Sequence, residues 1–414
     1  MHRSGRPSDM RKPAILCILL TLVPVVAVAQ EIESLAGVRL VFDHASARSL
    51  ATGSTGMASR QGDAAAVNPA AIAGAPRSFS IEMSDRTIEG RYVSDSNLNT
   101  IGIESSTGGV RSASLTLPMA GLTWSLFYDR PLDVEHSTAS AFVSANRAAF
   151  FVCEGRLSAT SCDRTPVELN VPATFPIDVA LQLQRYGAAA AWSRGPVAFG
   201  ASLRQERFRQ ESIFTPSFFG PSPGTAESTD DSALTWGAGL TWDVTSRARI
   251  GASYSSGGAF TGVRTFVENE PRSIEFRTPP SLGVGVSFDP LPQLTLSADA
   301  VRVEYSRMMH DRRSTFPQGS EIGFSDVTEL HAGAEYRTGK VALRAGWWRD
   351  PAHALAVRNG IEPPPPLEYV LAIVDADEDH VTAGIGYGEK VRFDAAVDRG
   401  KYSTRVALGV STTF

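Results

Sequence analysis

The chain has 414 residues, 43% of them hydrophobic, with 39 basic and 44 acidic side chains and a net charge of −5. An acidic balance argues against nucleic acid as a partner. After the first thirty residues no uncharged apolar run reaches the roughly 18 residues that a transmembrane helix needs, so a soluble fold or a membrane barrel is left, and composition does not separate the two.

The amino-terminal residues have a targeting pattern. Arg3, Arg6, Arg11 and Lys12 precede a mostly apolar run from Ala14 to Val26, and Ala27-Val28-Ala29 is a small-x-small site before Gln30. This is the layout of a secretory signal peptide. Pro24 interrupts the run, which is short for a signal anchor, and Cys17 stands too early in it for a lipoprotein site. Residues 1–29 are therefore expected to be removed. That takes away four basic side chains and one acidic, and leaves a net charge of −8 on 385 residues.

Residues 37–76 come next. They are rich in small residues and do not alternate cleanly. From there on, apolar and polar residues alternate with period two, the mark of strands with two different faces. Strands are predicted at 78–90, 112–118, 121–134, 184–193, 196–212, 230–243 and 247–257. Seven more follow at 280–289, 292–307, 325–337, 340–349, 378–389, 391–400 and 402–414. In 234–242, for example, Leu234, Trp236, Ala238, Leu240 and Trp242 alternate with Thr235, Gly237, Gly239 and Thr241. A soluble sandwich also alternates. The breaks separate the two folds: short turns near 119–120, 195, 244–246, 290–291, 338–339 and 390 alternate with long segments at 91–111, 135–183, 213–229, 258–279, 308–324 and 350–377. Fourteen strands with short turns on one side and long loops on the other describe an all-β, antiparallel transmembrane barrel. Trp124, Tyr128, Trp242, Tyr254, Trp347, Trp348 and Tyr387 lie near strand ends and fit interfacial aromatic belts.

The long loops carry apolar residues that need a reason to be exposed. Phe150 and Phe151 lie in 135–183, and Phe214, Phe218 and Phe219 in 213–229. They are candidates for capturing a greasy ligand, or they pack on one another as a lid; both readings stand. Cys153 and Cys162 are the only cysteines left after the leader. In an oxidising compartment they are expected to form a disulfide, which stabilises so short a loop by roughly 2–3 kcal/mol in the chain-entropy view.

Catalytic signatures are missing: there is no Gly-x-Ser-x-Gly, His-Glu-x-x-His or phosphate-loop sequence. His331 shares a face with Glu335 but has no nucleophile tied to it, so a polar contact with the amino-terminal segment is the expected role. The run from Asp375 to His380 reads as a solvated acidic loop rather than a metal site. Asp299, Glu335, Arg337, Arg344, Arg392 and Asp394 fall on the inner face and are expected to grip whatever fills the lumen. No enzyme activity, metal or cofactor is implied.

The stretch from Gly62 to Ile72, containing Asn68-Pro69-Ala70 just before the first strand, resembles the hatch of the FadL/TodX family of outer-membrane transporters. Thr278–Val286, and the pair Glu329–Arg337 with Val341–Trp348, are similar to that family too, as is the terminal Phe414. The resemblance implies a fourteen-stranded barrel with an amino-terminal plug inside. Residues 1–29 would be the leader, 30–76 the hatch and 77–414 the barrel. It further implies passive transport of hydrophobic small molecules such as long-chain fatty acids or hydrocarbons, with Asn68, Pro69 and Ala70 as the hatch motif. In the family a kink in the third strand opens the wall sideways. Pro131 lies in the third strand and lacks an N–H donor; it either makes that kink or ends the strand at the outer rim. The implied partners are a hydrophobic ligand, outer-membrane lipid and the barrel insertion machinery. A rival resemblance is to PorV-like barrels, which shuttle or anchor secreted proteins; a continuous apolar tunnel would favour transport and a sealed lumen the rival.

Overall fold

The computed structural model describes residues 40–43, 46–60, 64–93, 100–137, 177–214, 225–266, 269–309, 321–357 and 376–414. It also describes short pieces of the long connections, at 142–144, 149–153, 156–158, 166–168, 172–174, 217–218 and 314–315. Fourteen antiparallel strands make a closed ring. They are β1 Ser78–Val93, β2 Thr100–Met119, β3 Leu122–Ser137, β4 Ile177–Arg194, β5 Val197–Phe214, β6 Thr225–Asp243 and β7 Ala248–Ser255. The ring continues with β8 Ser281–Leu291, β9 Leu294–Val303, β10 Val327–Thr338, β11 Val341–Asp350, β12 Glu378–Gly388, β13 Val391–Arg399 and β14 Ser403–Thr413. Pairing of β1 with β14, from Ser78 opposite Thr413 to Ile88 opposite Ser403, closes it.

The alternation sorts side chains as the sequence predicts. On β6, Leu234 is 70% exposed on the outside while Thr235 and Thr241 are buried inside. An apolar exterior around a polar interior is the arrangement that surrounding hydrocarbon favours. Turn geometry follows from sequence as well, with Gly195 and Gly339 at φ 60° and 58° in two of the tight turns.

Two readings need correction. Trp348 is buried in the lumen rather than in the outer belt, because adjacent residues on a strand point to opposite faces and Trp347 takes the outward position. Several strands also run further than expected: β2 starts at Thr100 and β4 at Ile177. Beyond the apolar band the ladders continue with polar outward residues, so pairing persists where hydrophobic alternation has faded. On β5, Arg207 lies outside above Leu203 and makes two 2.7 Å bonds to Asp230 of β6. The segment 258–279 is likewise a hairpin, Ala259–Phe266 with Asn269–Arg277, joined to the upper end of β6. Its Phe276 stacks on the inward Phe208 at 4.0 Å between ring centres, with Phe260 at 5.4 Å.

Residues 46–60 and 64–75 lie inside the ring. Helix α1, Ala47–Ala51, is capped by the Ser46 side chain accepting from the Ser49 N–H. Glu82 of β1 accepts the Ala47 N–H at 2.7 Å, placing negative charge where a helix start exposes unsatisfied donors. Five strands turn a glycine towards this segment. A Cβ at Gly200 or Gly239 would overlap the 68–70 turn, at Gly251 the Met57 carbonyl, at Gly333 the Thr52 carbonyl, and at Gly346 the backbone between Thr52 and Gly53. The wall is thus hollowed to admit backbone. Gly333→Val should let the barrel assemble and still shift on heating, yet unseat the segment at a cost of about 1–3 kcal/mol, the usual range for overpacking. Limited proteolysis of the folded protein should then cut at Arg48 or Arg60 faster than in the unaltered chain.

Candidate functional site in the lumen

The amino-terminal segment lies between two cavities. On the short-turn side is a polar one of about 370 Å³, lined by Arg48, Arg60, Arg247, Arg249 and Arg337 with Asp299 among the carboxylates. On the other side is a smaller one of about 90 Å³, where Val41, Phe42, Met57, Val303 and Trp348 meet Arg185 and His331. Residues 48–60 contribute to the lining of both.

The wall is irregular beside the smaller cavity. Three steps along β3, from Asp129 to Leu132, match two steps of β4, so Pro131 sits in a bulge. The bulge switches which residues face in: Thr123, Ser125, Phe127 and Asp129 below it, Leu132 and Val134 above, all buried. On the other edge, β2 and β3 pair at Ser112 with Asp129 and again only at Glu104 with Ser137. Strand β3 therefore runs on past Pro131, and the rim reading of this residue is overturned. The Pro131 carbonyl accepts the Asp43 N–H at 3.0 Å and Arg111 Nη2 at 2.9 Å. Backbone 40–43 thus contributes a bond where the β2 ladder is interrupted. Its other end is held by His353, whose Nε2 lies 2.7 Å from the Leu40 carbonyl.

Below, charges hold the segment to β9 and β10, and charges of β11 and β13 brace them. Arg48 donates twice to Glu335, at 3.0 Å each. Arg344 donates to Glu335 at 2.6 Å and to Asp394 at 2.8 Å, and Arg392 donates to Asp394 at 3.1 Å. Asp299 accepts the Gly56 and Met57 N–H groups at 2.6 and 3.0 Å. Of the six inner charges singled out from sequence, Asp299 and Glu335 therefore touch the segment. Arg337, Arg344, Arg392 and Asp394 brace Glu335 or one another.

His331 meets its expectation: Nδ1 lies 2.9 Å from the Gly53 carbonyl. Its ring stacks on Trp348, which stacks in turn on His380 at 3.9 Å. His380 and Glu378 are buried in β12, so the carboxyl end of the acidic run is part of the wall and not a solvated loop; Asp375 lies outside the described residues. Among the described residues, no three His, Cys, Asp or Glu side chains are grouped to hold a metal.

The Asn68-Pro69-Ala70 turn is fully buried. Asn68 accepts the Ala70 N–H at 3.0 Å and donates to the Met57 carbonyl at 2.6 Å and the Leu240 carbonyl at 3.3 Å. Phe150 and Phe151 fall in a short strand, Ala149–Cys153; Phe214 ends β5; Phe218 lies in Ser217–Phe218. Their side chains, all of Phe219 and Cys162 lie outside the described residues, and no disulfide is found among those described. Sequence reasoning missed Asp43, Arg111 and Arg405. Their signal was slight, since single charges on a glycine-rich strand or in an unalternating segment look like any others.

No protein-family model and no curated protein matches the sequence. Solved structures do match. The Ralstonia pickettii toluene transporter TbuX superposes with a TM-score of 0.59 at 17% identity, over 90% of this chain and 99% of that one. A Pseudomonas aeruginosa FadL homologue gives 0.64 at 13%, over 91% and 98%. The Pseudomonas putida toluene transporter TodX gives 0.56 at 16%, over 90% and 99%. Agreement over nearly the whole length of each, at such low identity, is agreement in architecture: this chain has the fold of the FadL and TodX barrels.

Proposed function

We propose that the protein is a passive outer-membrane transporter for hydrophobic small molecules such as long-chain fatty acids or hydrocarbons, with residues 30–76 as its hatch. The observation that carries this reading is the plugged lumen beside an interrupted wall ladder. A segment that lines two cavities is bonded, through Asp43, to the very carbonyl at which β3 leaves β2. Likeness to barrels described as toluene transporters supports transport over the protein-shuttle reading. A ligand enters among the outer loops, where Phe150, Phe151, Phe214, Phe218 and Phe219 are the proposed capture residues, and reaches the cavity at Val41 and Trp348. It leaves when the hatch rearranges or through the wall at Pro131. No bond is made or broken, and neither enzyme chemistry nor a cofactor takes part. Residues 1–29 are proposed to be a removed leader, and Cys153 and Cys162 a loop disulfide.

Deleting Pro131 tests the route through the wall. It removes the extra residue of the bulge and restores one-to-one pairing with β4, and Asp129 and Leu132 keep their inward faces. Uptake of dodecanoate or toluene into proteoliposomes should fall at least about fivefold, with the barrel still heat-modifiable. Undiminished uptake through a folded deletion variant would rule the lateral path out.

A further inference from the structure

We propose that the turn between β13 and β14 carries, on the outside of the barrel, a phosphate-binding patch for lipid A, the phosphorylated glycolipid of the outer leaflet, with Arg399 and Lys401 as its ligands. The patch is separate from the lumen and does not depend on what the barrel carries.

The outward face of β13 reads Val391, Phe393, Ala395, Val397 and then Arg399. Arg399 stands eight residues above Val391, about 20 Å up a strand tilted as barrel strands are. That is where an apolar band about 25 Å tall gives way to lipid head groups. The end is the one that bears the long connections, so the leaflet is the outer one. Residues 400–402 alone join β13 to β14, and the rim here has no long loop of its own. Arg399 Nη1 donates to the Thr404 hydroxyl across the ladder on β14, which lays the guanidinium along the lipid-facing wall. Lys401 Nζ lies 4.7 Å from the centre of the Tyr402 ring.

Other outward arginines at this end bring their own carboxylates. Arg207 and Arg209 share Asp230, at 2.7 and 3.5 Å. Arg302 meets Asp326 at 3.4 Å, and Arg349 pairs with Asp377. Arg405, which faces inward on β14, pairs with Asp43. Among the described residues, Arg399 and Lys401 have no carboxylate partner. Asp379 on β12 and Asp85 on β1 face outward in neighbouring strands, and neither forms an ion pair with them. A chain that is acidic overall thus keeps two unneutralised cations, two positions apart, at the membrane surface, where they attract anions.

Lipid A has the matching chemistry: phosphate groups on a sugar head, with several acyl chains below. The Arg399 guanidinium suits phosphate oxygens by its fork of donors, and Lys401 adds a compact charge beside it. The acyl chains then lie on the apolar wall directly beneath, over Val397, Val406 and Leu408, which are 41%, 48% and 59% exposed. Val397 and Val406 stand opposite each other in the ladder, one rung below Arg399 and Thr404. Head group and chains therefore meet the same two strands.

The test titrates the purified mature protein in detergent with three lipids: bisphosphorylated lipid A, its dephosphorylated form, and phosphatidylglycerol. Bound lipid is counted by native mass spectrometry. The unaltered protein should prefer lipid A to the dephosphorylated form about tenfold, the scale of one good charge-assisted contact. Arg399→Gln combined with Lys401→Gln should bring that ratio close to one. Arg302→Gln, which removes an outward arginine that has its own carboxylate, should leave it in place. An unmoved ratio in the folded double variant, or an equal fall in Arg302→Gln, overturns the proposal. Two comparisons need no substitution and decide the matter even if the double variant fails to assemble. Equal binding of lipid A and its dephosphorylated form by the unaltered protein overturns the phosphate site. Equal binding of lipid A and phosphatidylglycerol overturns its assignment to lipid A, leaving only a general attraction for anionic lipid.

Discussion

Glu335→Ala is expected to release the hatch from the wall while leaving the ring of strands closed. The Glu335 carboxylate accepts from Arg48 on the hatch and from Arg344 on β11, and Arg337 lies 2.5 Å away. Its removal leaves three guanidinium groups facing one another. Arg344, whose side chain is wholly buried, is left with the Asp394 carboxylate. Deleting one partner of a buried ion pair costs about 3–5 kcal/mol, mostly as the penalty of the stranded charge. The ring itself is held by backbone ladders that the substitution does not touch, so the loss is borne by the attachment of residues 46–60. Heat-modifiability on gels should be preserved, tryptic cleavage at Arg48 or Arg60 should become faster, and cells should become permeable to large polar antibiotics. Glu335→Gln, which keeps the shape and one acceptor oxygen, should fall between. An unchanged rate of tryptic cleavage in Glu335→Ala would show that the glycine-lined fit alone holds the hatch.

Replacing Asn68 with Ala and Pro69 with Gly together should change uptake of a hydrophobic ligand without changing expression or assembly. Asn68 is completely buried and bonds to Ala70, Met57 and Leu240, so it ties two parts of the hatch to each other and to β6. Without it a buried donor and two acceptors lose a partner, at about 1–3 kcal/mol for each group left unsatisfied. Pro69 fixes its own φ and biases Asn68 away from helix; here it opens the short 3-10 turn Pro69–Ile72, with Asn68 as the cap. Glycine at that position lets the turn relax. Since Gly200 and Gly239 are shaped around this turn, a relaxed turn no longer fits its seat. Uptake of dodecanoate or toluene by proteoliposomes is the readout, with direction set by whether the loosened hatch opens or collapses into the lumen. Unchanged uptake in a well-folded double variant would mean the motif is a structural turn only, and would shift weight to the protein-shuttle alternative.

The two variants differ in what they disturb. Glu335 acts at a distance of one long side chain and its loss strands charge, whereas Asn68 acts at close contact and its loss orphans backbone. If both release the hatch, its seating depends on polar satisfaction throughout. If only the second does, the shape of the wall decides.

The ring could be read from sequence because its information is local. Each strand announces itself in a few residues, as Leu234 to Trp242 do, by the alternation that sends every second side chain outwards, and the fourteen predicted strands match the fourteen found. Where outward residues turn polar, as at Arg207 and Arg209, that signal stops although the pairing goes on, and the strand ends were misjudged for that reason. Trp347 and Trp348 show the same rule at its finest scale: period two required one of the pair to face in, and only its neighbours in the ladder told which. The interior was another matter. Residues 40–75 have no alternation, and their partners lie far away along the chain, Arg48 and Glu335 being 287 positions apart. Nothing local marks Asp43 as the counter-charge of Arg405, or Gly251 as the seat of Met57. Those meetings were decided by closure of the barrel, which brings the inner faces of fourteen strands around one segment and leaves each charge there to find an opposite one, since an unpaired charge in that confined space is too costly to keep.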